Sequence, residues 1–299
     1  MIQALETVHL GKRYGRKWAL HDCTLQIPIG CVAGLVGPNG AGKTTLLHLA
    51  TGLLGPSSGT LTVLGHDPCK EAKQLMPRIA LVLQEHPLYK TFTVKEMLMM
   101  GQKINPHWNQ ELALRRLEHL RIPLSQPTGK LSGGQQAQVA LVLALAKQPE
   151  LLILDEPVAS LDPLARREFE QTLMEAVAES GITVIISSHI VADLERFCDY
   201  LVLLSASRVQ VSERVDHFLQ SHKLLVGPRE RIESVARTHT ILTSNGTGRQ
   251  CTLLVHTHGP IVDPAWEVRD VSLEDIILAY LAHSNTAMSD RNEKTLEAV

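Results

Sequence analysis

Three short stretches carry the residues from which chemistry could be built. The first is Gly37-Pro38-Asn39-Gly40-Ala41-Gly42-Lys43-Thr44, continued by Thr45. Glycines in such a loop let backbone N–H groups turn inward around phosphate oxygens. Lys43 supplies a point charge for β- and γ-phosphates, and Thr44 a hydroxyl for Mg2+. The second is Asp155-Glu156, which closes the apolar run Leu151-Leu152-Ile153-Leu154. A strand end aims both acids into the crevice where open α/β sheets bind ligands. There Asp155 would hold Mg2+ through its water shell, and Glu156 would polarise an attacking water as general base. The third is Leu131-Ser132-Gly133-Gly134-Gln135, which reads as a helix start able to bind a γ-phosphate.

Each stretch has a plainer explanation when taken alone. A glycine turn can hold an incidental lysine, two acids at a strand end can simply be solvated, and Ser-Gly-Gly is a common turn. The specificity lies in their order and in the strand preceding the glycine loop.

The elements that must position these residues are legible as alternating strands and helices. Val32 to Val36 reads as a buried strand feeding the glycine loop, and Ile79 to Leu83, Leu151 to Leu154, Thr183 to Ile186 and Leu201 to Leu204 are similar. Continuous apolar runs of this length suit parallel strands covered on both faces. Phe169, Leu173 and Val177 recur at helical spacing in Ala165 to Ser180, with Gly181 as C-cap. The class is α/β. Residues from about 87 to 147 read as a mostly helical insert, opened by the capping box Thr93-Val94-Lys95-Glu96. After about residue 212 the pattern changes to a small α+β appendage. It has strands at Lys223 to Val226 and Thr252 to His256, a turn at Ser244 to Gly248, and a helix from Ser272 to about Ala282. The segment from Ser284 is polar and is expected to be a disordered tail.

Bulk composition narrows the function classes. A net charge of −2 offers no basic field for nucleic acid, so no nucleic-acid partner is expected. Five cysteines with no C-x-x-C pair argue against a disulfide or zinc framework and fit a reducing compartment. The first residues do not read as a signal peptide. The longest apolar run, Val139 to Ala146, is far short of the ~20 residues that span a bilayer. If this protein works at a membrane, another chain crosses it.

The three stretches in this order resemble the nucleotide-binding cassette of ABC ATPases, over about residues 1–212. The resemblance implies a P-loop NTPase cassette with a mixed or parallel core sheet and a helical insert. It implies ATP and Mg2+ as ligands. Four further positions match the family's pattern. Tyr14 resembles the aromatic that stacks on adenine, and Gln84 the glutamine that reaches Mg2+ and the attacking water. His189 resembles the histidine that contacts the γ-phosphate, and Ala159-Ser160-Leu161-Asp162 the loop that crosses the dimer interface. In the family, Ser132, Gly133, Gly134 and Gln135 of one subunit cap the ATP held by another. The resemblance thus implies a second ATPase subunit, identical or homologous, and a separate polytopic membrane permease. That places the chain in the cytoplasm, peripheral on the inner face of the cell membrane.

Which ABC protein this is can be narrowed further. The stretch between glycine loop and signature is too short for a long coiled coil, and one cassette stands where translation-associated members carry two. These features disfavour a soluble ABC ATPase; a poorly hydrolysing regulator is the other alternative. The tail Ser272-Leu273-Glu274-Asp275-Ile276-Ile277 resembles single-cassette ATPases of ABC-2-type exporters. The segment from Pro87 to Glu96 resembles the region that meets the permease, and Met97 to Met100 would either add an adaptable apolar grip for it or pack the core of the insert itself. One departure stands out. Where the family carries an arginine three residues beyond the signature this chain has Gln138, and no basic residue follows until Lys147.

Overall fold

The computed structural model describes residues 2–246 and 248–282. The expected tail from Ser284 lies outside the described residues. The chain opens with two long strands, β1 (Gln3–Tyr14) and β2 (Lys17–Pro28), paired antiparallel. After β3 (Val32–Val36), β4 (Ser58–Val63) returns to the free edge of β1, giving a three-stranded sheet of order β2-β1-β4. The remaining strands of the first part are β5 (Ile79–Val82), β6 (Leu151–Asp155), β7 (Thr183–Ser188), β8 (Tyr200–Ser205) and β9 (Arg208–Arg214). They join β3 in a six-stranded sheet of order β5-β6-β7-β3-β8-β9. Its first five strands are parallel, and β9 runs antiparallel along β8.

The apolar runs form central strands because each strand buries both faces. Successive residues of a strand point to opposite sides of the sheet. In β6, Leu152 and Leu154 enter one core while Leu151 and Ile153 enter the other. In β3, Val32 and Val36 face the first core, Ala33 and Leu35 the second. The second core also takes Leu46, Leu47 and Leu49 of helix α1 (Lys43–Ala50) and the inner face of the β1 sheet. Each fully buried leucine contributes roughly 1.5–3 kcal/mol.

A four-residue helix, α2 (Ala72–Leu75), precedes β5. Three helices lie between β5 and β6: α3 (Val94–Ile104), α4 (Gln110–His119) and α5 (Gly133–Ala146). They share a small core of their own, with Val94, Leu98, Leu117, Val139 and Val142 at its centre. The capping box that opens α3 forms as the spacing predicts: Glu96 N donates to Thr93 Oγ1, and Thr93 N to Glu96 Oε2. Helix α5 belongs to two cores at once, since Ala137, Leu141 and Leu145 pack on the sheet. Helix α6 (Pro163–Ser180) lies beside it, with Gly181 closing it in the left-handed conformation at φ 64°. A short helix, α7 (Val191–Leu194), follows β7.

Beyond β9 the chain forms α8 (Val215–Gln220), α9 (Ile232–Ala236) and four more strands. These are β10 (His222–Pro228), β11 (Thr240–Asn245), β12 (Gln250–His256) and β13 (Glu267–Arg269), in an antiparallel sheet of order β11-β12-β10-β13. Ser244 and Asn245, read from sequence as turn, belong to β11. A helix over 273–282 covers one face of this sheet. Its Leu273, Ile276 and Ile277 join Val215 and Phe218 in the same core that holds α5 and α6.

Candidate active site

Four loops leave the same end of the six-stranded sheet. Because β5, β6, β7 and β3 are adjacent and parallel, their C-terminal ends line up. The glycine loop follows β3, Gln84 follows β5, Glu156 follows β6 and His189 follows β7. A cleft of about 560 Å³ opens beside them. That lies within the roughly 300–1,000 Å³ of small-molecule sites. Tyr14, Lys17, Trp18 and Ala19 of the β1–β2 hairpin form one wall. Asn39, Gly40, Gly42, Lys43, Thr44 and Thr45 form the floor, and Gln84 and Glu156 the far side.

The glycine loop is held by contacts that no larger residue would allow. A Cβ on Gly37 would stand 2.2 Å from the carbonyl oxygen of Leu204. A Cβ on Gly42, at φ 109°, would stand 2.5 Å from the Ala19 oxygen. Ala41 N donates to Pro38 O at 3.1 Å, which closes the turn. Lys43, 5% exposed, donates from Nζ to Gly37 O at 2.7 Å and lies 3.4 Å from Glu156 Oε1. It begins α1, so the positive end of that helix and its first N–H groups open into the loop. A buried ammonium, a helix N-terminus and a backbone cradle together suit a polyphosphate.

Behind Lys43 the two acids are fixed differently. Asp155 is 5% exposed and accepts a 2.6 Å hydrogen bond from Ser187 Oγ. The same hydroxyl accepts from Glu156 N at 2.8 Å. Glu156 sits at φ 45°, a conformation that costs a side-chain-bearing residue about 1–2 kcal/mol. Its carboxylate reaches forward to His189 Nδ1 at 3.1 Å. A carboxylate only accepts, so Nδ1 carries the proton in that bond. The donors offered by Thr44, Gln84 and Asp155 are hard oxygens of the kind Mg2+ prefers. Among the described residues, no three His, Cys, Asp or Glu side chains converge as a metal site. A Mg2+ held here would therefore complete its shell with substrate phosphate and water.

Residues 20–159 match the ABC transporter family. The chain is 33% identical to the Nod factor export ATP-binding protein I of Burkholderia orbicola, over 73% of this chain and 73% of that one. The chain belongs to the ABC transporter ATP-binding family. It is also 36% identical to the Nod factor export ATP-binding protein I of Sinorhizobium fredii over 71% of its own length; that match spans 63% of the relative, just under two thirds. A solved ATP-binding subunit of an ABC transporter superposes with a TM-score of 0.65 at 29% identity, covering 73% of this chain and 92% of that one.

The ABC signature does not line the cleft of its own chain. Ser132 caps α5, and Gln135 Oε1 accepts from Ser132 N in a second capping box. The first N–H groups of a helix have no partner within it, which leaves those of Gly133 and Gly134 for another acceptor. The two glycines differ. A Cβ on Gly134 would meet Ala165 Cβ at 2.7 Å, so packing on α6 requires glycine there. Above Gly133 nothing lies within 4 Å. Gln138, where the ABC arginine is expected, is 3% exposed, and neither of its amide atoms finds a hydrogen-bond partner.

Of the residues expected from sequence, Tyr14, Asn39, Gly40, Gly42, Lys43, Thr44, Thr45, Gln84 and Glu156 line the cleft. Gly37 and Pro38 offer it carbonyls through Lys43, and His189 joins through Glu156. Tyr14 is 51% exposed, with Lys12 Nζ over its ring at 5.6 Å from the centroid. Sequence reasoning passed over Lys17, Trp18, Ala19 and Ser187. The aromatic Trp18 so close to Tyr14 was a signal; for Ser187 the sequence held none.

Proposed function

We propose that this chain is the ATP-hydrolysing subunit of an ABC exporter, working with a separate membrane permease and a second ATPase subunit. The observation that carries the reading is the convergence of the glycine loop, Gln84, Glu156 and His189 on four adjacent strand ends around Lys43. ATP lies with its base on Tyr14 and its phosphates in the loop from Gly37 to Thr45. Mg2+, held by Thr44, Asp155 and Gln84, would neutralise charge on the transferring phosphoryl group. Lys43 exchanges its bonds to Gly37 O and Pro38 O for phosphate oxygens. Glu156 accepts the proton of the attacking water, and His189 orients both. Ser132, Gly133, Gly134 and Gln135 of the partner close the site. Support for that last point is the open space above Gly133, a glycine for which its own chain gives no packing reason.

The permease meets a groove of about 340 Å³ between β5 and α3, with Leu83, Pro87, Leu88, Met97 and Ile104 in its walls. Met97 is buried there, Met99 is 47% exposed, and Tyr89 and Phe92 pair their rings nearby at 5.2 Å. No helix among the described residues is long and apolar enough to cross a membrane. The names of the relatives favour export, and the chain acts at the cytoplasmic face of the membrane.

Purification from native membranes in mild detergent tests the assembly: a stoichiometric polytopic partner is expected, and recovery without one removes the transporter reading. Glu156→Gln should bind ATP, hydrolyse it very slowly and accumulate a closed dimer; rapid hydrolysis would take the base role from Glu156. Lys43→Ala should lose ATP affinity. Replacing Met99 and Met100 by Glu should weaken permease binding in a folded protein.

A further inference from the structure

His86 is a buried polar side chain to which the mechanism above gives no part. It is 6% exposed, and its backbone N–H donates to Leu83 O at 3.0 Å. That bond closes a tight turn with Gln84 and Glu85 at its corners. The ring reaches across to the neighbouring loop, where Nε2 stands 3.0 Å from the carbonyl oxygen of Pro157. A carbonyl only accepts, so Nε2 is the donor.

The bond matters because of what precedes Pro157. Glu156 occupies the left-handed backbone region at φ 45°. A residue persists there only where its surroundings over-determine it. On one side Ser187 Oγ holds the Glu156 N–H. On the other, Pro157 has no N–H to donate, and its carbonyl is bound by His86. His86 itself is at φ 44° ahead of a proline, a place where the turn also needs an outside hold. One hydrogen bond thus steadies two strained loops, the turn that presents Gln84 and the turn that presents Glu156.

We propose that His86 is a positioning residue for hydrolysis: its Nε2–H···O=C bond to Pro157 locks the Gln84 turn to the loop that aims the Glu156 carboxylate. This rests on Glu156 being the general base. The loss expected is in turnover, because Lys43 and the glycine loop, which hold the nucleotide, do not touch His86.

The test is steady-state Mg-ATP hydrolysis by the full chain in four forms beside wild type: Glu156→Gln, His86→Leu, His86→Asn and His86→Gln. His86→Leu should lower kcat by about tenfold to a hundredfold, the scale of a misplaced catalytic group, with KM for ATP little changed. The His86→Gln amide reaches the same carbonyl and should restore most of kcat, whereas the shorter His86→Asn should not. Should His86→Leu fail to fold, the Asn and Gln variants decide alone. Equal activity of Asn and Gln overturns the proposal, as does wild-type kcat in His86→Leu or a loss confined to KM. Glu156→Gln turning over at the wild-type rate removes the hydrolytic reading beneath it. A slow Glu156→Gln beside a fully active His86→Leu removes the proposal alone.

Discussion

Ser187→Ala deletes one hydroxyl and strands two groups. The side chain is fully buried, donates to Asp155 Oδ1 at 2.6 Å and accepts from Glu156 N at 2.8 Å. A hydrogen bond to a charged acceptor contributes about 1.5–3 kcal/mol, and one to a neutral N–H about 0.5–1.5 kcal/mol. Ser187 is 0% exposed, so alanine leaves both groups without this partner at a buried position and both lose most of that stabilisation. The expected destabilisation is therefore about 2–4 kcal/mol. At roughly 2–4 °C per kcal/mol for a chain of this size or somewhat smaller, the thermal midpoint should fall by several degrees. The same deletion frees the backbone of Glu156, so kcat should fall by about tenfold or more while KM for ATP holds. Ser187→Thr keeps the hydroxyl and should recover much of both. Ser188→Ala is the control: its Oγ serves only the local turn to Ile190 and points to neither acid. A Ser187→Ala protein with wild-type midpoint and kcat would refute the reasoning, because it would mean the bridge between the acids does no energetic or catalytic work.

Three further outcomes follow from the same structure. Gly37→Ala should abolish ATP binding, measured by titration with a fluorescent ATP analogue, because its Cβ would stand 2.2 Å from Leu204 O. Gly133→Ala should leave the thermal midpoint unchanged, since nothing lies within 4 Å, yet weaken ATP-dependent dimerisation in sedimentation. Stability should decline on acidification through His222, whose pKa is lowered chiefly by burial and also by His256, against the Phe218 carbonyl and Glu213. The unfolded ring titrates near 6.5. A depressed folded pKa means the unfolded chain binds the proton first, so stability is full above about pH 6.5 and is lost as pH falls toward and through the folded value. Thermal midpoints between pH 7.5 and 5.5 should fall less steeply in His222→Gln than in wild type.

The glycine loop, the acidic strand end and the capping box at Thr93 were legible because each is a local pattern with a local cause. Thr93 and Glu96 bond to each other whatever surrounds them. The central strands were legible because burial on both faces keeps their runs mostly apolar, as in Leu151 to Leu154. The β2-β1-β4 sheet was not. Register shifts between Thr7 and Leu10 and between Leu10 and Lys12, with His9 at φ 50° and Asp22 at φ 56°, break the two-residue alternation that marks a half-buried strand. Ser187 was illegible for another reason. Its importance comes from Asp155 and Glu156 on the next strand, and strand order is not written in any one segment. The turn read at Ser244 gave way to strand because cross-strand pairing with Leu253 and Thr252 outweighed the turn preference of Ser and Asn.

The core that joins α5 and α6 to the helix over 273–282 sets a schedule for synthesis. A ribosome delivers the chain from its N-terminus, at about 5–20 residues per second. Val211, Val215 and Phe218 are made well before Leu273, Ile276 and Ile277, the side chains that cover them. From residue 212 to residue 279 that interval is roughly 3–13 s. During it the nascent protein already holds its glycine loop and both acids, yet shows an uncovered apolar face to the cell. A chaperone that shields this face has those seconds in which to act, and a chain released early would carry the exposure permanently.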